Sequence, residues 1–228
     1  MKSQTKKIVE TADGSSTLYM ETINEYYHSK HGAVQEAKHV YLKNGFEFWK
    51  SIEPGKKRCN VFEMGFGTGL NVLLTYLAHL ESSVEIHMQS LEAYPLSSDV
   101  LKGLNFNSFL PNIEHMVFDK IHTSSWDKRI KISPEFTLHK IHQTLEKFTP
   151  EESIDVIYYD AFGSRAQPEM WDDSCFTKLV EAMSPGAVFV TYAAKGSVRR
   201  ALDRLGLTVE LVPGPPGKRE MIRAYRQL

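Results

Sequence analysis

Three acidic residues stand at or just after the ends of predicted strands: Glu63, Glu92 and Asp160. In open α/β sheets, ligands bind outside the carboxyl ends of the strands, so side chains at these ends would share one cleft. Asp160 follows the segment Ile-Tyr-Tyr and precedes Ala-Phe-Gly, and a carboxylate at the edge of such an apolar segment could bind a cationic amine. Each acid taken alone could equally be a solvated residue that enters a loop.

A glycine-rich turn lies between the first of these strands and a predicted helix. Gly65, Gly67 and Gly69 give three flexible backbone positions within five residues. The helix is predicted over Leu70–Leu80, where leucines recur at helical spacing. A strand, a glycine turn and a helix N-terminus form a site where a ligand can approach the backbone closely. A tight turn without a ligand is the alternative.

The spacing Gly-x-Gly-x-Gly differs from the Gly-x-Gly-x-x-Gly of dinucleotide-binding proteins. It resembles the first motif of methyltransferases that use S-adenosylmethionine (SAM), in which the glycines make room for the amino-acid part and the ribose. Glu92 follows the second predicted strand and could accept hydrogen bonds from both ribose hydroxyls of an adenosine. NAD and SAM both carry that adenosine, so Glu92 alone does not choose between them.

Composition limits the class of protein. The chain has 228 residues, 42% of them hydrophobic, which suits one α/β domain of ordinary size. The net charge is −1, so any RNA site must be a local patch of positive charge. Two cysteines without metal spacing, no signal peptide and no bilayer-spanning apolar stretch predict a cytoplasmic protein without a metal site or a membrane segment.

Strands and helices alternate over residues 58–228, which predicts a mostly parallel sheet. The last two predicted strands, 207–212 and 221–225, are joined by a loop too short for a crossover, which predicts an antiparallel pair at one edge. We therefore expect a Rossmann-like α/β fold of the class I SAM-dependent methyltransferase type. Its seven-stranded sheet would be mostly parallel, with one antiparallel edge strand.

Residues 1–57 are expected to form an N-terminal extension that packs on this domain. The Asp13-Gly14 turn predicts a β-hairpin, and residues 32–44 predict helix. The segment 24–31 places aromatic and imidazole groups in a polar stretch, and its composition favours a surface helix.

Longer motifs carry a more specific resemblance. Residues 159–162, Tyr-Asp-Ala-Phe, and residues 167–171, Gln-Pro-Glu-Met-Trp, resemble the Asp-x-Phe … Asn-Pro-x-Met-Trp signature of a bacterial tRNA-modification family. Residues 66–71, 92–96 and 217–221 match further motifs of that family. The family is the methyltransferase called MnmD when it stands alone, which forms the N-terminal half of the bifunctional enzyme MnmC. The resemblance runs over nearly the whole chain.

The resemblance implies SAM-dependent methylation of the amino group of 5-aminomethyl(-2-thio)uridine at the wobble position of tRNA. Asp160 would lie where the sulfonium methyl group meets the amine, and could orient the amine and accept its proton. The family would place the cofactor on Glu63, Gly65, Phe66, Gly67, Gly69, Asn71 and Glu92. We expect the substrate to bind to aromatic and basic side chains, which can stack on a base or bind phosphate: Tyr27, Phe162, Trp171, Lys218 and Arg219.

Alternatives exist for some of these residues, and the adenine contact has no assigned residue. Ordinary packing is an equal alternative for Trp171, and a solvated helix face is the alternative for the basic residues of 195–204 as phosphate ligands. The family usually has a Gly-Asp pair after the third strand, next to the adenine. His139-Lys140 occupies that place here, which leaves the adenine contact unassigned. We expect the flavin-dependent oxidase half of MnmC to be absent.

Other functions compete with this reading. A SAM-dependent methyltransferase could act on a small amine or on a protein instead of tRNA. An NAD(P)-linked oxidoreductase is disfavoured by the glycine spacing and the two closing strands. A non-catalytic RNA-binding module is disfavoured by an intact Asp160 beside an intact glycine turn. The oligomeric state, the tRNA species and the need for thiolation stay open.

Overall fold

The computed structural model describes residues 6–109 and 112–228. Two sheets and seven α-helices make up the described part. The strands are β1 (Lys6–Glu10), β2 (Ser16–Met20), β3 (Glu25–Tyr26), β4 (Arg58–Met64), β5 (Glu85–Glu92), β6 (Lys128–Ser133), β7 (Phe136–His142), β8 (Ile154–Tyr159), β9 (Met183–Thr191), β10 (Thr208–Pro213) and β11 (Glu220–Tyr225). The helices are α1 (Ala33–Ala37), α2 (Phe48–Ile52), α3 (Leu70–Leu80), α4 (Ser98–Lys102), α5 (Asn112–Thr123), α6 (Asp173–Glu181) and α7 (Gly196–Arg204). A helical stretch with π-type hydrogen bonding, Lys38–Glu47, joins α1 to α2.

The larger sheet has the strand order β10-β11-β9-β8-β4-β5-β7-β6. The five strands from β9 to β7 run parallel, whereas β11 is antiparallel to both β9 and β10. This confirms the Rossmann-like α/β fold and the closing antiparallel pair. In the closing pair the antiparallel strand β11 does not lie at the edge as expected, because β10 forms the edge itself.

The sheet has eight strands rather than the expected seven. The additional strand is β6, Lys-Arg-Ile-Lys-Ile-Ser, which pairs antiparallel with β7 at the other edge. Three of its six residues are exposed and only one is buried, because an edge strand needs only a few apolar residues on its inner face. Because the segment is rich in charged residues, its sequence does not show the apolar pattern that predicts a strand.

Alternation along β4 sends side chains to two separate cores. Val61 joins the cluster that contains Leu73 of α3 and Trp49 of α2, whereas Phe62 joins the cluster with Phe176 of α6. Successive side chains of a strand point to opposite faces, so helices on both faces bury all of β8 and residues 61–64 of β4. The carboxyl ends of these strands are left as the open edge where a ligand can bind.

The N-terminal region contains the predicted hairpin, in which Ile8 of β1 lies opposite Leu18 of β2. The expectation of a surface helix over residues 24–31 is wrong. Tyr26 instead pairs with Tyr19 of β2 as part of a third strand, and the residues after it have no regular structure. A division of the chain at residue 57 stays a prediction.

Helix α3 spans the predicted residues and begins directly after Gly69, whose φ is +72°. Helix α5 was not predicted from the sequence. Within residues 6–109 and 112–228, no helix has the length and apolar character needed to cross a membrane.

Candidate active site

A cavity of about 960 Å³, the main cavity, opens at the carboxyl ends of β4, β5 and β8. Its volume lies within the range of about 300–1,000 Å³ that is usual for small-molecule sites. In the part of the chain that the structure describes, no group of three or more His, Cys, Asp and Glu side chains could hold a metal ion. The cavity brings together most of the predicted site residues: Tyr27, Gly65, Phe66, Gly67, Asn71, Glu92, Asp160, Phe162 and Lys218.

The glycine turn forms one wall of the main cavity and leaves no space for side chains. Gly65 and Gly67 have φ angles of +93° and +49°, a region that residues with a Cβ rarely adopt. A Cβ on Gly65 would lie 2.9 Å from the carbonyl oxygen of Asp160. A Cβ on Gly67 would lie 3.2 Å from the ring of Tyr27. The turn therefore requires glycine for both conformation and space.

The carboxylate of Glu92 is fixed against this turn. Its Oε2 accepts a hydrogen bond from the Gly67 backbone N–H at 3.0 Å, and its Oε1 accepts one from the Tyr94 N–H at 2.8 Å. Each carboxylate oxygen can accept a further bond, so both stay available to the hydroxyls of a ribose. The tight cradle and this carboxylate fit the ribose and amino-acid parts of SAM.

Two of the predicted cofactor residues lie behind the cavity wall. Glu63 is fully buried, accepts a hydrogen bond from the Ser90 hydroxyl, and has a pKa well above its usual range because burial penalises the charged form. Gly69 faces the other way, since a Cβ there would lie 2.9 Å from His122. Both residues support the turn from behind and do not line the main cavity.

Asp160 lies at the end of β8, and two side chains hold its carboxylate. Tyr41 donates its hydroxyl to Oδ1 at 2.5 Å, and Asn71 donates its amide to Oδ2 at 2.9 Å. Burial raises the pKa of Asp160 to about 7, while these two hydrogen bonds oppose the shift. A carboxyl group with this pKa can exist as a base near neutral pH and can also accept and release a proton there.

A partly buried ion pair also lines the main cavity. Glu36 of α1 accepts a hydrogen bond from the Lys218 ammonium at 2.6 Å and another from the Ser29 N–H at 2.7 Å. The same ammonium lies 3.8 Å from the ring centroid of Tyr192. Lys218 was predicted to bind phosphate, but its ammonium group instead contacts the Glu36 carboxylate and the Tyr192 ring.

The predicted aromatic and basic substrate residues fall into two groups. The rings of Tyr27 and Phe162 meet edge to face at 5.0 Å in the main cavity. Trp171 and Arg219 line a second, adjoining cavity instead. The Trp171 N–H donates to the Phe162 carbonyl oxygen at 2.7 Å, and its ring packs on Tyr159, so much of its surface serves ordinary packing.

His139 and Lys140 lie within β7 and not after it. The buried Lys140 ammonium donates to the carbonyl oxygens of Ile121 and His122 at 2.8 and 2.9 Å, which ties the strand to the end of α5. The loop that follows β7 reaches the main cavity through residues 144–146.

Sequence reasoning missed several residues that line or support the main cavity. Tyr94 stood within a recognised motif and could have been found from its position after Glu92. Tyr41, Glu36 and Tyr192 gave no local signal, because their roles depend on packing against distant parts of the chain.

Similarity to known proteins defines the class of protein to which this chain belongs. The family described as S-adenosyl-L-methionine-dependent methyltransferase matches residues 108–227. The chain belongs to this family, is an enzyme of this class, and uses SAM as its cofactor.

Curated relatives confirm the resemblance to MnmC that the motifs predicted. The protein is 31% identical over 216 residues to "tRNA 5-methylaminomethyl-2-thiouridine biosynthesis bifunctional protein MnmC" of Idiomarina loihiensis, covering 88% of this chain and 35% of the relative. The protein of the same name from Hydrogenovibrio crunogenus is 29% identical, covering 91% and 32%. The chain thus spans about a third of the length of these relatives.

A solved structure shares the fold. MNMC2 from Aquifex aeolicus superposes with a TM-score of 0.78 at 22% identity, covering 98% of this chain and 71% of that one. A class I SAM-dependent methyltransferase from Listeria monocytogenes, named as putative, superposes with a TM-score of 0.51 at 13% identity, covering 87% and 64%.

Proposed function

We propose that this protein methylates the amino group of 5-aminomethyl(-2-thio)uridine at the wobble position of tRNA, giving 5-methylaminomethyl(-2-thio)uridine. The observation that carries the proposal is Asp160, a carboxylate with a pKa of about 7 beside the glycine turn. A base of this strength suits an amine that must lose a proton before it attacks. The names of the relatives supply the substrate class.

SAM supplies a methyl group on a sulfonium centre. Gly65 and Gly67 would admit its amino-acid part against the backbone, and Glu92 would accept both ribose hydroxyls. Tyr94 and residues 144–146 line the same cavity and are the candidates for contact with the adenine. These residues position the cofactor, and positioning contributes a large part of the rate in a displacement reaction.

The amine meets a negatively charged side of the main cavity. An aliphatic ammonium has no lone pair, so it must transfer a proton before methylation. Tyr41 and Asn71 each occupy one oxygen of Asp160 and fix the orientation of the carboxylate, whose remaining lone pairs can accept that proton. Lys218 compensates the charge of Glu36, but six carboxylates against three lysines leave the lining of the cavity negative, which would attract the cationic form of the amine.

The uracil ring would lie against the aromatic pair Tyr27 and Phe162, since unstacked RNA bases are commonly bound on aromatic side chains. We also propose that the extension formed by residues 1–57 completes the substrate site, because Tyr27, Glu36 and Tyr41 all come from it. A protein acting on tRNA in this way would work in the cytoplasm, without a metal ion.

The test is methyl transfer from labelled SAM by the purified protein. We expect label in tRNA that carries 5-aminomethyl(-2-thio)uridine, with the product nucleoside identified by mass spectrometry after digestion, and none in tRNA that lacks the aminomethyl group. Transfer to small amines or proteins but not to this tRNA would instead support a methyltransferase for another amine. Tighter binding of NADH than of SAM in calorimetry would contradict both.

A further inference from the structure

A second cavity of about 400 Å³ adjoins the main cavity, and the mechanism above leaves it unused. Gly163, Tyr192 and Lys218 line both cavities, so these residues form the partition between them. The rest of the lining comes from three parts of the chain: Ser164 and Trp171 after β8, residues 193–195 after β9, and Arg219 and Glu220 at the start of β11.

The lining of the second cavity differs in chemistry from that of the main cavity. Trp171 and Tyr192 provide two aromatic rings whose centroids lie 6.2 Å apart at an interplanar angle of 73°. The bond from the Trp171 N–H to the Phe162 carbonyl oxygen fixes the orientation of its indole ring. The exposed side chains of Lys195 and Arg219 stand around this aromatic surface.

A fixed aromatic surface beside exposed cations suits a nucleotide. Bases stack on aromatic side chains irrespective of sequence, and cations track the phosphates. Six carboxylates but only three lysines (Lys30, Lys178 and Lys218) line the main cavity, so its excess of negative charge suits an amine and disfavours a phosphate.

We propose that the second cavity binds the nucleotide that directly neighbours the modified uridine in the RNA, with its base against Trp171 and its phosphate near Arg219 and Lys195. This rests on the proposed function, since the target uridine must occupy the main cavity. The shared partition supports it, because a chain that places one nucleotide in the main cavity carries its neighbour past Lys218 into the second one.

The first test changes the RNA. Stem-loop RNAs carrying 5-aminomethyluridine receive an abasic nucleotide at the 5′ neighbour, at the 3′ neighbour, or several positions away as the control. We expect removal of one neighbouring base to lower kcat/KM about 5- to 100-fold, mainly through KM, as loss of one base stack does. The remote control should stay within about 2-fold. Equal rates for all the RNAs would overturn the proposal.

The second test changes the protein. Arg219→Ala should raise KM for the stem-loop about 5- to 10-fold at an unchanged KM for SAM, and should reduce the slope of log affinity against log salt by about one phosphate contact. The matched control is Lys128→Ala on β6, at the opposite edge of the sheet, which also removes one positive charge and should leave both quantities unchanged. The proposal is wrong if Arg219→Ala behaves like this control.

The two proposals fail in distinguishable ways. If the wild-type protein methylates no stem-loop, the proposed function fails and the second cavity loses its assignment. If it methylates the stem-loop but neither neighbouring base matters, the proposed function stands and only the second cavity is assigned wrongly.

Discussion

The two sides of the main cavity are built from different kinds of contact. The cofactor side, which we propose binds SAM, combines the backbone of the glycine turn with the Glu92 carboxylate, which accepts hydrogen bonds from two backbone N–H groups. The substrate side, defined by Asp160 and the pair Glu36–Lys218, consists of polar side chains from distant parts of the chain. The backbone contacts of the glycine turn do not tolerate larger side chains. The side-chain contacts on the substrate side determine the charge of the cavity and the basicity of Asp160. Cofactor binding and amine chemistry should therefore respond to separate mutations.

The largest effect is expected from Asp160→Asn, which keeps the shape of the side chain but removes its basicity. Loss of general base assistance should lower methyl transfer about 10²- to 10⁴-fold. Single-turnover rates with aminomethyl-uridine tRNA measure this effect, and calorimetry should find SAM affinity almost unchanged. A near wild-type rate would make Asp160 structural, and a joint loss of SAM binding would make it a cofactor ligand.

On the cofactor side, Gly67→Val should weaken SAM binding by at least about 100-fold. The added side chain enters a positive-φ position and meets the ring of Tyr27. Gly206→Val is the matched control, because Gly206 also has a positive φ, +84°, but no atoms lie within 4 Å of its Cβ position. This control should lose some stability yet bind SAM normally. Normal SAM binding by the Gly67 variant would show that the turn does not line the cofactor site.

The pH dependence should report the basicity of Asp160. Because its pKa of about 7 lies above the usual aspartate value, the carboxylate is protonated at lower pH, so kcat/KM should rise as pH increases through about 7. Tyr41 donates to the ionised form and lowers the pKa, so Tyr41→Phe should move this limb to higher pH and lower the rate at pH 7 about 3- to 10-fold. An unshifted profile in Tyr41→Phe would mean that the hydrogen bond does not tune the base.

The smallest effect is expected at the ion pair. Glu36→Gln leaves the half-buried Lys218 without an opposite charge and should cost about 1 kcal/mol of unfolding free energy, discounted because Lys218 is a third exposed. The double variant Glu36→Gln, Lys218→Met should regain part of that loss in urea titrations. SAM affinity should stay constant in both. If the free energy of SAM binding changed as much as the free energy of unfolding, the cofactor side and the substrate side would not respond to separate mutations.

Local sequence determined the cofactor side. β4, the glycine turn and α3 are consecutive in the chain, and their structure follows from the apolar strand, positive-φ glycines and leucines at helical spacing. The same holds for the Asp13-Gly14 hairpin and for β8, which is buried at every position. These features could be predicted because conformational preference and periodicity are properties of neighbouring residues.

Only the tertiary structure decided the substrate side. Tyr41 and Asp160 lie 119 positions apart, and Glu36 and Lys218 lie 182 positions apart, yet both pairs are in hydrogen-bond contact. Tyr26 lies in a strand and not in the predicted helix, because it pairs with the free edge of β2. No local pattern encodes such contacts, because they arise when packed elements bring side chains into one low-dielectric space. That packing also determines the pKa of Asp160. The sequence predicts that Asp160 lies at a strand end, but it does not predict its pKa.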